Sequence, residues 1–276
     1  MKAAGWLRIV GLLIPAILPV LASAQALGDL VVTPTRVMLD DRTRSSDIML
    51  LNRSPKAIRY RLNLVDMTMS ETGTMTRLPE PPETSAARFL RLAPREITLQ
   101  PGEAQRIKIA VLTLGLPEGE LRSHLSFEPV ASEKPVGSTV DLEGLSLNFQ
   151  LRSVITIPVI VRHGKLGASA TIQDATAGQD EHGAFVKFRL SRTGNRSVRG
   201  DLTVTFAPAK GPKQTLAQQN SVPVYVPNAS RIMVMRLSKD PRTLAPGTLE
   251  IVFSEPDRAR GSAFAKATVE VPPDKP

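Results

Sequence analysis

The chain has 276 residues, with 35 Lys and Arg against 26 Asp and Glu, a formal net charge of +9 and no cysteine. A hydrophobic fraction of 42% with 22% charged residues marks a folded chain and not a disordered one, long enough for one large or two small domains. Without cysteine, a disulfide framework, a thiol nucleophile, thiolate-bound zinc and iron–sulfur ligation are all excluded. The three histidines (His124, His163 and His182) are spaced too widely in sequence to suggest a zinc or copper site.

Met1–Ala24 reads as a secretory signal peptide: a basic start (Lys2, Arg8), an apolar run from Ile9 to Leu21, and Ala22-Ser23-Ala24 ahead of the cleavage point. A second cleavage frame ends at Ala26. The apolar run is about 13 residues, short of the roughly 20 that cross a bilayer, and contains Pro15 and Pro19. The expectation is export to the periplasm, cleavage, and a mature chain with no membrane insertion. The +9 less Lys2 and Arg8 leaves +7. Aromatics at 4% and the absence of any dense Lys/Arg run argue against nucleic acid. The basic surplus reads as a solvated surface that aids solubility and long-range steering.

Beyond the signal, short apolar or alternating runs recur about every 8–12 residues, the rhythm of a β-sandwich. Leu30–Val32, Val37–Leu39 and Ile48–Leu51 come first. In Ile58–Val65 the residues Ile58, Tyr60, Leu62 and Leu64 alternate with Arg59, Arg61 and Asn63. Met67–Arg88, polar and carrying Pro79, Pro81 and Pro82, reads as a long loop. Ile97–Leu99 leads into the turn pair Pro101-Gly102, then Ile107–Val111, Leu121–Phe127, Leu145–Leu151 and the nearly all-apolar Val154–Val161. After His163-Gly164-Lys165 a second set follows: Ala170–Ile172, Ala184–Leu190, Leu202–Phe206, Val222–Val226, Ile232–Leu237, Leu249–Phe253 and Ala267–Val271. Two groups of about seven strands predict an all-β protein of two immunoglobulin-like sandwiches: residues 25–163 and 164–276, joined near Arg162–Leu166.

No constellation supports catalysis. There is no G-x-S-x-G elbow, P-loop or dinucleotide fingerprint, and Ser123-His124 is a neighbouring pair on opposite strand faces. Asp40, Asp41 and Asp47 lack the six or more oxygens calcium takes and read as turn acids. Sequons at Asn52, Asn195 and Asn228 are short patterns that arise often by chance. No cofactor is expected.

One ordered series is more specific. An edge strand carries a single cation, Arg36, in Thr35-Arg36-Val37, inside a run of apolar residues. Ile48–Asn52 follows, then Arg88–Arg106 with its Pro-Gly turn, Leu121–Phe127, and Ile157-Pro158-Val159-Ile160-Val161-Arg162. Taken together, Leu30–Arg162 resembles the PapD-like periplasmic chaperones of the chaperone–usher pilus pathway. The second half agrees in size and strand spacing.

The resemblance implies two immunoglobulin-like domains in an L or boomerang arrangement. It implies a last strand of the first domain that lends alternating apolar side chains to a pilus subunit lacking a strand. Leu145, Leu147, Phe149 and Leu151 stand at spacing two and share one face, as that role requires; an ordinary core strand reads the same way. The family also holds the subunit's C-terminal carboxylate with two cations. Arg36 matches the first. The second, a lysine, falls on Pro158, which has neither charge nor N–H. Arg152, on the face opposite the Leu145–Leu151 row, is the candidate substitute, with Arg162 as the other option or as a structural residue of the junction. Glu128–Gly144 reads as a loop before the donor strand. The partners implied are fimbrial or related secreted subunits, an outer-membrane usher, and a second copy through the donor-strand edge. The alternative is a non-catalytic two-domain scaffold or binding protein of the envelope.

Overall fold

The computed structural model describes residues 30–130, 138–142, 145–149, 153–240, 246–255 and 263–271. Its strands, in chain order, are β1 (Leu30–Thr33), β2 (Val37–Leu39), β3 (Ser45–Asn52), β4 (Ile58–Val65), β5 (Met67–Met69), β6 (Met75–Arg77), β7 (Leu90–Ala93), β8 (Glu96–Leu99), β9 (Ala104–Val111), β10 (Gly119–Pro129), β11 (Ser138–Leu142), β12 (Leu145–Phe149) and β13 (Ile155–His163). A second run comprises β14 (Ala168–Asp180), β15 (Gly183–Gly194), β16 (Val198–Pro208), β17 (Gln214–Val224), β18 (Ser230–Arg236), β19 (Gly247–Ser254) and β20 (Ala263–Val271). The chain is an all-β protein of two immunoglobulin-like sandwiches.

The first sandwich packs the sheet β1-β3-β9-β7 on the sheet β2-β13-β10-β4-β8. Its core is the set of alternate positions that the sequence offers: Ile48 and Leu50 of β3, Tyr60 and Leu62 of β4, Ile107 and Ile109 of β9, Leu125 and Phe127 of β10. Arg59 and Arg61, between the core positions of β4, face solvent. The opening strand changes sheets. β1 runs antiparallel to β3, and after Pro34-Thr35-Arg36 the chain joins the other sheet as β2, parallel to β13, with Val37 opposite Val159. A strand that switches sheets makes a corner of the sandwich. At the β8–β9 turn Glu103 N–H donates to Gln100 C=O at 3.0 Å, with Gly102 at φ +74°, the left-handed conformation that a type II turn places on glycine.

The second sandwich packs β14-β15-β18 on β17-β16-β19-β20, around Val186, Phe188, Leu190, Leu202, Val204, Phe206, Ile251 and Phe253. Its strands reach well past their apolar centres. β14 runs 13 residues where the pattern marks only Ala170–Ile172, because backbone pairing with β15 continues through polar residues past an irregularity between Gln173 and Thr176.

Two expectations change. Met67–Arg88 is not a plain loop: it holds the β5–β6 hairpin and a 3-10 turn at Ala87–Phe89. The hairpin's strands are three residues each, with Thr at the centre of both, too short to set an apolar alternation apart from the mostly polar stretch around them. Glu128–Gly144 holds β11, which pairs with β12 from Ser138↔Phe149 to Leu142↔Leu145. The three sequon asparagines use their amide nitrogens as donors: Asn52, fully buried, to Lys56, Leu99 and Gln100 carbonyls, Asn195 to Lys165, and Asn228 to Met69. The turn-acid reading of Asp40 and Asp41 agrees with their bonds: Asp40 accepts from the amides of Arg42 and Thr43, and Asp41 pairs with His163 and the Gly164 amide. No helix among the described residues is long and apolar enough to cross a membrane.

Candidate functional site

The two sandwiches meet along β10, β13 and the β5–β6 hairpin. β13 is apolar on both faces because each face has a core to meet. Val159 and Val161 enter the first core, and Ile160, fully buried, joins the second together with Met69 of β5. Burying a side chain of that size contributes roughly 1.5–3 kcal/mol. The hairpin is bound to the second sandwich by Asn228 Nδ2 donating to Met69 C=O at 2.8 Å and Ile232 N–H donating to Glu71 C=O at 2.7 Å. Gly73, at φ +91°, lies against the Arg231 guanidinium so closely that a Cβ there would run into it.

At the centre of this junction Glu120 is buried, its side chain 1% exposed. It accepts from Arg162 Nε at 2.8 Å, from the Ser197 amide at 3.1 Å and from the Ser197 hydroxyl. Arg162 also donates to Ser197 C=O, and Val226 N–H donates to Ser197 Oγ. A buried carboxylate persists only when paired and hydrogen-bonded, and here one guanidinium and one serine do both across the two sandwiches. Arg162 is therefore a structural residue of the junction, the second of the two roles its sequence position allows.

Around this pair lies a group of arginines short of acceptors. Arg122 stacks its guanidinium over the Tyr225 ring, 4.1 Å from the centroid, and donates Nη2 to Met67 C=O at 2.9 Å. Its Nη1 is buried without a partner, as are Arg36 Nη1 and Arg231 Nε. Arg36 sits one residue ahead of β2. Burial holds its guanidinium below the ordinary arginine value; Arg199 and Arg162 push the same way, while Tyr225 and Glu120 oppose. The parallel register, Val37↔Val159, carries one step back to Arg36 beside Pro158. The proline thus occupies the position next to the first cation and supplies no charge there.

The candidate donor positions Leu145, Leu147 and Phe149 fall on β12, at alternate register positions opposite Leu142, Val140 and Ser138. Among the described residues β12 pairs with β11 alone and belongs to no sheet of either sandwich. Leu151 and Arg152 lie outside the described residues. The junction residues that the sequence pattern does not single out are Glu120, Arg122, Ser197, Arg199 and Tyr225. The alternation of Leu121–Phe127 marks a strand, but not that Arg122, His124 and Ser126 on its polar face are buried as well. Their neighbour Ser123 donates to Asp66 at 2.6 Å, and Asp66 also accepts from Ser85, a network that ties the stretch before β7 to β10.

No family model matches the chain, and no curated protein matches it. Among solved structures the chain is similar to fimbrial chaperones. One is in a structure described as a chaperone–tip adhesin complex vital for activation of CFA/I fimbriae biogenesis, at 12% identity over 89% of this chain and 100% of that chain, with a TM-score of 0.48. Another is the class 5 fimbriae chaperone CfaA, at 12% identity over 88% of this chain and 99% of that one, TM-score 0.47. A third comes from the CsuC–CsuE chaperone–tip adhesion subunit pre-assembly complex of the archaic Csu pili of Acinetobacter baumannii, at 10% identity, 88% of this chain, 98% of that one and TM-score 0.46.

Proposed function

We propose that this protein is a periplasmic chaperone that captures fimbrial or related secreted subunits by donating the strand Leu145–Leu151, without ATP, cofactor or covalent chemistry. An incomplete sandwich exposes a groove and unpaired backbone groups, and a donated strand fills both. The observation that carries this reading is the place of β12: a strand with apolar residues at alternate positions, hydrogen-bonded to β11 and standing apart from both sandwich sheets. A strand kept for its own core would belong to one of those sheets. Arg36, with a buried and unpartnered guanidinium nitrogen beside β13, serves as anchor for the client's terminal carboxylate, and Arg152 is the second candidate cation. Export by the cleaved Met1–Ala24 segment, two domains divided after His163 and set in a boomerang, release to an outer-membrane usher, and self-association through the donor edge complete the proposal.

The test is a pull-down of the tagged mature protein from periplasmic extract, with mass spectrometry of what copurifies. A small β-rich subunit near one-to-one stoichiometry, lost in Phe149→Asp while the thermal midpoint is unchanged, is the expected result. Undiminished capture by Phe149→Asp and Leu147→Asp would refute donation through this row. A monomer with no partner, under conditions where subunit genes are expressed, favours the envelope-scaffold reading, to which the uncharged Pro158 already lends some weight.

A further inference from the structure

Among the described residues, the first sandwich and its β5–β6 hairpin lend four side chains to the apolar core of the second: Met38, Met69, Met75 and Ile160. Three of the four are thioethers, brought together from separate strands. Met38 of β2 stands beside Ile160 of β13 in the parallel register, and Met69 and Met75 oppose each other across the hairpin. The same core holds Met233 and Met235 of β18. Beyond Met1, only Met49 and Met67 of the chain's methionines stand outside it.

Methionine suits a seam between two rigid surfaces, because its unbranched side chain fills irregular gaps. Its sulfur is also the one apolar side-chain atom here that an oxidant turns into a polar group, since the chain has no cysteine. The four side chains differ in access. Ile160 is fully buried and Met69 is 3% exposed, whereas Met38 and Met75 are partly open to solvent. An oxidant therefore reaches Met38 and Met75 while the sandwiches are docked. Two hydrogen bonds tie the same hairpin to the second sandwich, Asn228 Nδ2 to Met69 C=O and Ile232 N–H to Glu71 C=O. Loss of the apolar contact is thus legible at the Ile232 amide.

We propose that Met38 and Met75 form a redox-sensitive modification site at the seam of the two sandwiches, where conversion to the sulfoxide loosens the docking and reduction restores it. The oxidant is a peroxide. A sulfur lone pair attacks one oxygen of hydrogen peroxide, the S–O bond forms as the O–O bond breaks, and the thioether is oxidised by two electrons. The second oxygen leaves with both protons as water. The new sulfoxide oxygen is a polar acceptor set against Ile160 and the apolar core, and a polar group in such a place opposes docking. The site does not rest on the chaperone reading.

The test treats the mature protein with hydrogen peroxide, maps sulfoxides by peptide mass spectrometry and follows amide hydrogen exchange. With Met38 and Met75 oxidised, exchange at the Ile232 amide should speed up by roughly 5- to 150-fold, the factor that a buried, unpaired polar group is worth. The β16 and β19 amides should stay protected. Methionine sulfoxide reductase should return slow exchange together with the thioether mass, an arm that needs no variant. Met38→Leu with Met75→Leu, which keeps volume and apolar character, should exchange slowly at Ile232 with or without peroxide. Met49→Leu removes a thioether that is 40% exposed on β3, outside this core, and should respond as the natural chain does. Four results overturn the assignment: sulfoxide at both positions with unchanged Ile232 exchange, both thioethers left intact while Met49 is converted, an equal peroxide response in the double leucine variant, or fast exchange that persists after reduction.

Discussion

His124 should make the first sandwich lose stability on mild acidification. It sits in the middle of β10, between Val65 of β4 and Pro158 of β13, 4% exposed and with Nδ1 unpartnered. Burial, reinforced by the nearby Arg122 charge, pulls its pKa from 6.5 down to about 4. The imidazole is therefore neutral in the fold and titrates freely once unfolded. Between pH 6.5 and pH 4 the unfolded chain binds the extra proton, so stability is complete above pH 6.5 and falls as pH drops toward 4. The whole window corresponds to about 3 kcal/mol, and the step from pH 7 to pH 5 to about 2 kcal/mol. At about 1–2 kcal/mol per molar urea, that step moves the midpoint of the first sandwich by about 1–2 M. The assay is urea unfolding followed by circular dichroism at both pH values, for the natural sequence and for His124→Leu. Other titrating groups act alike in both proteins and cancel in the comparison. The leucine variant should gain about 2 kcal/mol relative to the parent on going to pH 5. An equal acid loss in both proteins would refute the buried-neutral assignment.

Three further outcomes are expected. Arg36→Ala should weaken client binding by roughly 10- to 150-fold, the worth of about 1.5–3 kcal/mol for a hydrogen bond to a charged group, with an unchanged unfolding midpoint; surface plasmon resonance against the captured subunit reads it. Glu120→Gln strands the Arg162 charge at the junction and should cost about 3–5 kcal/mol, seen as a lowered calorimetric midpoint, while Glu120→Asp should lose less. Gly73→Val places a β-branched side chain at φ +91° and into the Arg231 guanidinium; it should loosen the β5–β6 hairpin, speeding hydrogen exchange at the Ile232 amide, which donates to Glu71, while the β16 and β19 amides stay protected.

Much of the fold was legible in the chain. Val37–Leu39 and Ile58–Val65 are strands with the limits that their residues suggest, because a half-buried strand writes its two faces into the sequence at a period of two. The doubly apolar β13 announced a strand with cover on both sides. What stayed hidden was whatever lacks that period: the three-residue strands β5 and β6, the polar β11, and the far halves of β14 and β17, which are held by backbone pairing that any side chain permits.

The candidate site divides the same way. The row Leu145, Leu147, Phe149 and the lone Arg36 are local features, and they stand out because one type of residue interrupts or repeats against its neighbours. Their setting is not local. Glu120 reads as one acid among many, and only the docking of the second sandwich brings Ser197, 77 residues away, onto it and spends Arg162 there. Arg122, His124 and Ser126 occupy the polar positions of an ordinary alternating strand, and only that docking and the β5–β6 hairpin bury Arg122 against Tyr225. The sequence by itself determined the all-β class, the strands and the alternating apolar row, since each follows from side-chain size and polarity along a short stretch. The tertiary structure alone decided which charges are paired and which are buried unpaired, because register and domain packing set those distances and no local pattern records them.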